Sequence, residues 1–286
     1  MFTASSPAQD PPPREFALRQ RDFLTISRVV RESTGIVLGD RKRDLVYSRL
    51  ARRLRALGCK TFSDYCSYLD SPDGEAERRK MLNAITTNLT AFFREAHHFA
   101  YLADVVLANL RKTRERSGRR LRIWSAGCSS GEEPYSIAMT VRTALGDDAR
   151  WDAKILATDI DTEMVASGEA GRYLANRAAS IPSAMRHRFV RRVDDHTIEM
   201  ADELRSMVFF RELNLFDHWP MRGPFDAIFC RNVVIYFDND AKRVLFDRLA
   251  DILTPSGWLF VGHSESLFRV TDRFRQVGRT IHQRMS

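Results

Sequence analysis

The chain has 286 residues, 44% hydrophobic and 29% charged, with 45 Lys and Arg against 37 Asp and Glu for a formal charge of +8. That profile belongs to a globular protein with a real core and excludes bulk disorder, a collagen-like repeat and a coiled coil; at roughly 100–200 residues per domain, two domains are expected. No apolar run approaches the roughly 18–20 residues of a membrane span, and Cys59, Cys66, Cys128 and Cys230 form no CxxC pair and, with seven scattered histidines, no metal-ligand pattern, so a reduced cytoplasmic protein without a metal is expected.

Residues 1–15 are rich in Ser, Ala and Pro, lack the basic and apolar regions of a signal peptide, and read as a disordered tail. Residues 16–85 read as an all-helical domain. Apolar residues recur at helical spacing from Phe16 to Val30, and Ser33–Asp40 breaks the pattern with two glycines. A helix over 41–57 ends at Gly58, a C′ glycine. Ser63 is placed to N-cap a short helix to Leu69, Ser71-Pro-Asp-Gly is a turn, and a further helix runs from Glu75 to Ile85.

The charge concentrates here. Residues 16–85 hold 15 Lys and Arg against 9 Asp and Glu, or +6, and the other 216 residues carry +2. In the 41–57 helix Val46, Leu50, Leu54 and Leu57 share an apolar face. Arg49, Arg52 and Arg55 form a slanted basic stripe beside it, with Arg53 on the border. Alone, such a run is a solvated face; the net positive balance points to an acidic partner.

Residues 86–94 read as a linker, and the rhythm then changes. Strands over 121–126, 154–159, 225–230 and 257–263 alternate with helices from Glu132, Thr162 and Asn239, which argues a mostly parallel α/β sheet over 95–286. Residues 188–213 break the alternation with three short strand-like runs, around 189–193, 197–200 and 207–213, and read as a small antiparallel β-subdomain.

Ligands of open α/β sheets bind where strands end and helix N-termini converge. The first strand runs into Gly127-Cys-Ser-Ser-Gly131 and a helix opening with Glu132 and Glu133. This GxxxG loop lacks the GxGxxG dinucleotide fingerprint, and carboxylates in the first turn oppose an anionic ligand; a cationic or zwitterionic ligand fits better. The second strand ends Thr158-Asp159-Ile160-Asp161, with Asp159 placed to accept from ribose hydroxyls and Asp161 an alternative N-cap. A third strand end carries Arg231 and Asn232, with Tyr236 four residues beyond the latter.

Together, Thr87-Asn-Leu-Thr-Ala-Phe-Phe-Arg94-Glu, Ser125-Ala-Gly-Cys-Ser-Ser-Gly-Glu-Glu-Pro-Tyr-Ser, Ala157-Thr-Asp-Ile-Asp, Phe229-Cys-Arg-Asn-Val-Val-Ile-Tyr-Phe, Gly262-His-Ser-Glu-Ser and the segment from Gly35 to Leu50 resemble the chemotaxis receptor methyltransferases, the CheR family. The resemblance implies a class I S-adenosylmethionine-dependent methyltransferase sheet, Rossmann-like with a small β-subdomain, behind an all-α domain. It implies transfer of methyl groups to glutamate carboxylates of chemoreceptors, releasing S-adenosylhomocysteine. By motif position it implies cofactor contacts at Asn88, Thr90, Arg94, Gly127, Glu133, Asp159, Asn214, Leu215, Arg231 and Asn232, with Asn214 and Leu215 on the adenine side; Glu132 is the alternative to Glu133.

A glutamate with a pKa of about 4.3 is ionised at neutral pH, so this methylation needs no general base. Arg94 and Tyr236 are expected near the methyl group as orienters of the substrate carboxylate; alternatively Arg94 clamps the cofactor's carboxylate. The resemblance turns Arg49, Arg52, Arg53 and Arg55 into a docking surface for Glu-rich receptor helices. The β-subdomain offers a strand edge for a receptor C-terminal peptide, but the turn Val193–Thr197 is shorter than the glycine-containing turn associated with peptide-binding members, which counts against tail docking. A monomer is expected, with no nucleic acid partner and no membrane insertion. The competing readings are a nucleic-acid methyltransferase, disfavoured because the basic stripe lacks interleaved aromatics, and a non-enzymatic cofactor-binding scaffold.

Overall fold

The computed structural model describes residues 14–86, 88–114, 119–146, 148 and 150–285. The chain divides into two compact units, one of Met1–Val29 and Leu38–Ile85, the other of Val30–Val37 and Thr86–Ser286. The second unit therefore claims an early segment that the sequence groups with the helical domain. Three contacts hold it there. The Val37 amide donates to the Tyr236 carbonyl at 2.9 Å, and the Asn214 side-chain amide donates to the Ser33 carbonyl at 2.6 Å. At Gly35 (φ +71°) a Cβ would fall 2.4 Å from the Phe216 ring.

The first unit is helical: α1 (Gln20–Thr34, whose last turn crosses into the second unit), α2 (Arg43–Leu57), α3 (Phe62–Asp70) and α4 (Glu75–Ile85). Phe23, Ile26, Val46, Leu50, Leu54, Phe62, Tyr65 and Met81 are almost fully buried and form its core. Gly58 ends α2 in the left-handed conformation that glycine takes cheaply. Thr61, not Ser63, caps α3, through a reciprocal capping box with Asp64. The Ser63 hydroxyl is engaged elsewhere, donating to Asp22 at 2.8 Å. The expected tail lies outside the described residues except at its end, where Arg14 and Glu15 pair with Asp44 and Arg55, each at 2.5 Å.

The second unit contains α5 (His97–Tyr101), continued through a π-helical run into α6 (Ala108–Thr113), then α7 (Glu132–Leu145), α8 (Thr162–Ala170), α9 (Ser183–Phe189), α10 (Asp202–Arg205) and α11 (Asn239–Ile252). Its strands are β1 (Arg119–Ala126), β2 (Trp151–Asp159), β3 (Arg172–Leu174), β4 (Val190–Arg192), β5 (Thr197–Met200), β6 (Val208–Glu212), β7 (Phe225–Cys230), β8 (Leu253–Val261), β9 (Phe274–Gly278) and β10 (Ile281–Arg284). Seven of them form one sheet in the order β6-β2-β1-β7-β8-β10-β9. β10 runs antiparallel to both neighbours, and the other pairings are parallel. Strand order reverses at β1, so the carboxyl ends of β1, β2 and β7 flank the switch point where such sheets bind ligands. Side chains alternate across the sheet: Ile123, Phe229 and Phe260 pack on one face, Trp124, Ile228 and Leu259 on the other.

One expected boundary is corrected. Only two of the three runs read as the β-subdomain, β4 and β5, belong to it, and they join β3 in a separate antiparallel sheet of order β3-β5-β4. The third run, β6, is the edge of the main sheet, parallel to β2 with Val208 opposite Ile155. Its Val208 and Phe210 are buried. Phe210 seats against α8 where Gly168 has no side chain; a Cβ there would meet the ring at 2.3 Å.

Candidate active site

The loop after β1 is anchored to β2: the Gly127 and Cys128 amides donate to the Thr158 carbonyl at 2.8 and 2.9 Å. Both loop glycines have positive φ, +79° at Gly127 and +98° at Gly131, and both lack room for a side chain. A Cβ at Gly127 would lie 2.4 Å from Val233 Cγ2, in the loop after β7; one at Gly131 would lie 2.8 Å from the Tyr173 hydroxyl. The sequence of the loop thus lets three strand ends close on one another.

Asp159 is 8% exposed at the end of β2. Its Oδ2 accepts from the Ser129 amide at 2.8 Å and its Oδ1 from the Asp161 amide at 3.0 Å. Burial raises its carboxyl above the ordinary value against the pull of these amides. Each oxygen retains capacity for one more donor. Asp161 is the N-cap of α8, accepting from the Glu163 and Met164 amides. Its other oxygen takes the Asn88 side-chain amide at 2.8 Å. The Ser129 hydroxyl donates to the Asn88 carbonyl at 3.1 Å. Asn88, Ser129, Asp159 and Asp161 therefore form one network.

A second network lies at the β1 and β7 ends. Glu133 accepts from the Ser125 hydroxyl at 2.7 Å and from Arg231 at 2.8 Å. Arg231, its side chain 2% exposed, also donates to the Arg94 carbonyl at 2.5 Å and lies 3.6 Å from Glu95. Its Nε is buried with no partner. Glu132 points elsewhere, wholly buried against Arg177 and the Ser130 hydroxyl, so the adjacent carboxylates have different surroundings. Glu95, the last residue of the first motif, and His98, which by sequence reads as a surface or packing residue, both meet this network. Burial pushes the Glu95 carboxyl up, but Arg231 and His263 outweigh it and leave its pKa below the ordinary value. Burial, with the Arg231 charge, pushes the His98 imidazole down to about 3.

The Arg94 side chain donates to the Leu89 carbonyl at 2.9 Å, and Thr90 is half-buried beside it. Asn232 takes φ +60°. Tyr236 is half-buried at the end of a single 3₁₀ turn, Val234–Tyr236. Asn214 folds back to accept from the Phe216 amide at 3.1 Å, and Leu215 is buried in the core with Trp219.

The basic stripe lies in the helical unit, outside these networks, and two of its members hold carboxylates of their own chain. Arg53 binds Glu77 with two hydrogen bonds, at 2.9 and 2.6 Å, and Tyr65 donates to the same carboxylate at 2.9 Å. Arg55 pairs with Glu15 at 2.5 Å. Arg49 donates to the Ala84 carbonyl at 2.9 Å, and Arg52 is exposed.

A reversed-order parallel sheet closed by an antiparallel strand between β8 and β9, with a glycine loop, an acidic first helical turn and an aspartate at the switch point, defines a class I S-adenosylmethionine-dependent methyltransferase. Residues 88–282 match the family described as "CheR methyltransferase, SAM binding domain", and residues 21–86 match "CheR methyltransferase, all-alpha domain". The chain is 44% identical over 271 residues to the chemotaxis protein methyltransferase of Escherichia coli, covering 93% of this chain and 91% of that protein. It is 45% identical over 240 residues to a probable chemotaxis protein methyltransferase of Rhizobium etli, covering 83% and 89%. To chemotaxis protein methyltransferase 2 of Pseudomonas aeruginosa it is 42% identical over 275 residues, covering 94% and 95%. The chain belongs to the CheR methyltransferase family. No helix among the described residues is long and apolar enough to cross a membrane.

Proposed function

We propose that this enzyme methylates glutamate side chains on the cytoplasmic helices of chemoreceptors, with S-adenosylmethionine as donor. The observation that carries the reading is similarity to chemotaxis protein methyltransferases across both units. The site fits the donor. Arg231 Nε is an orphaned buried donor suited to a carboxylate, and Asp159 has spare acceptor capacity for ribose hydroxyls.

Asn88, Thr90, Gly127, Glu133, Asp159, Arg231 and Asn232 would hold the donor, with Asn214 and Leu215 on its adenine side. When bound, it supplies an electrophilic methyl group on a sulfonium. The receptor carboxylate is the nucleophile and carries no proton to remove at neutral pH. The chain's work is then to position the carboxylate and strip its water. A tight Arg–carboxylate pair would favour the ground state over the charge-cancelling transition state. Arg94 and Tyr236, both partly exposed, suit loose orientation of the substrate; buried Arg231, already tied to Glu133, suits the donor.

The exposed Arg52 and the partly exposed Arg49 lead the docking of the acidic receptor helix, and a receptor C-terminal peptide is not required. The chain acts as a monomer without a metal.

The test is transfer of labelled methyl from S-adenosylmethionine to receptor-containing membranes. Base-labile label on receptor is expected; label on DNA or RNA, or none at all, rejects the reading. Arg94→Ala should abolish transfer. If Arg94 orients substrate, calorimetry with S-adenosylhomocysteine will show unchanged affinity; a large loss assigns Arg94 to the donor instead.

A further inference from the structure

Glu265, 6% exposed, lies in the loop that follows β8. Its Oε2 accepts from the Asn232 amide at 2.8 Å and the Gly262 amide at 2.5 Å. Its Oε1 accepts from the Val234 amide at 2.8 Å and the Ile235 amide at 3.3 Å. One buried carboxylate thus gathers four backbone amides, three of them from the turn that joins Arg231 to Tyr236. Within the turn Asn232 takes φ +60°, in the left-handed region that asparagine tolerates better than most residues with a side chain. Gly262 completes the fit from the same side. A Cβ there would lie 2.5 Å from Asn232 Nδ2 and 2.8 Å from the Asn232 amide nitrogen.

We propose that Glu265 is a positioning residue for methyl transfer, its carboxylate holding the 232–235 backbone in the conformation that aims Arg231, Asn232 and Tyr236 into the site. This rests on the reading of those three residues as donor- and substrate-facing groups. The requirement is for a carboxylate. Its two oxygens accept and never donate, and offer about four lone-pair positions for four amides. An amide in the same place turns an NH₂ group toward two of the N–H donors. The constraint acts on direction. Arg231 leaves the end of β7 with its guanidinium on Glu133 and the Arg94 carbonyl, both on other elements, so rotation of the turn pulls it off both. Tyr236 closes the same turn, and its carbonyl takes the Val37 amide.

The test uses the full chain, S-adenosylhomocysteine, labelled S-adenosylmethionine and a soluble receptor cytoplasmic fragment. Glu265→Gln keeps the side chain's size and removes half its acceptor capacity; Glu265→Asp keeps the charge and falls one methylene short. The expected result for Glu265→Gln is at least tenfold weaker S-adenosylhomocysteine binding and at least tenfold lower kcat. The KM for receptor stays within twofold, and amide exchange is faster only in 231–236 and 262–265. Glu265→Asp falls between this variant and wild type. Folded Glu265→Gln with wild-type affinity and kcat overturns the proposal, and so does a loss spread over receptor KM and exchange throughout the chain. If neither variant folds, wild-type exchange decides: amides 232, 234 and 235 must be protected, and free exchange there overturns the proposal. A wild-type chain that binds no S-adenosylhomocysteine rejects the donor reading itself, an outcome distinct from failure of the brace.

Discussion

His98 shows how a buried neutral group sets acid stability. Its ring packs on Phe260 with centroids 5.4 Å apart, and its Nε2 pairs with the Thr280 hydroxyl at 2.9 Å. The unfolded chain takes a proton on this imidazole near 6.5, which the folded chain refuses until about 3. The folded pKa is depressed, so its contribution is intact above 6.5 and lost as pH falls from there toward 3. The loss is about 1.4 kcal/mol per pH unit. In His98→Phe, the fall in denaturation midpoint between pH 7 and 5.5 should shrink by about 1 kcal/mol equivalent relative to wild type; parallel curves would contradict this. Glu95 adds an acid-labile increment in a lower window, because its lowered pKa means stability lost as pH drops through the carboxylate range. Asp161 combines two residue-scale roles, N-cap and partner of Asn88. Asp161→Ala should cost about 1 kcal/mol in chemical denaturation for the cap alone and should weaken S-adenosylhomocysteine binding through Asn88.

At the scale of an element, α2 carries arginines in two different settings, one on a buried carboxylate and one exposed. Arg53 sits on Glu77, a carboxylate 3% exposed, and removing it leaves that charge buried with only the Tyr65 hydroxyl. Arg53→Ala should destabilise the helical unit by about 3 kcal/mol, so any rise in its receptor KM would include partial unfolding. Arg52 is exposed, and Arg52→Ala should raise receptor KM severalfold with the melting temperature unchanged; wild-type KM at low salt would contradict a docking role. The helical rhythm of α2 was readable from apolar spacing, as was its glycine stop. Which arginines face inward to Glu77 and which face solvent was not readable, because Glu77 comes from α4, 24 residues away.

Across the whole molecule, +6 of the +8 charge lies in residues 16–85, while the donor site lies in the nearly neutral remainder. A charged docking surface accelerates encounter more than it adds affinity, and salt screens it. Raising ionic strength from about 20 to 200 mM should raise receptor KM severalfold while S-adenosylhomocysteine affinity changes little; equal sensitivity of both would contradict this division of labour.

The features legible along the chain are local and ordered: the helix periods, the alternation of strand and helix, the glycines where backbone must turn, and the motif order that marks the CheR family. Those depend on neighbours within a few residues, so they are legible in one dimension. Pairing partners depend on distant segments. Tertiary structure decided that β6 joins the main sheet, because Phe210 finds its place over Gly168 of α8. It attached Val30–Val37 to the second unit through Asn214 and Tyr236. It also distinguished Glu133 on Arg231 from Glu132 on Arg177, adjacent residues of one type in one helical turn. A carboxylate's role is set by the charge that stands against it, and at these two positions the arginine lies 45 and 98 residues away along the chain.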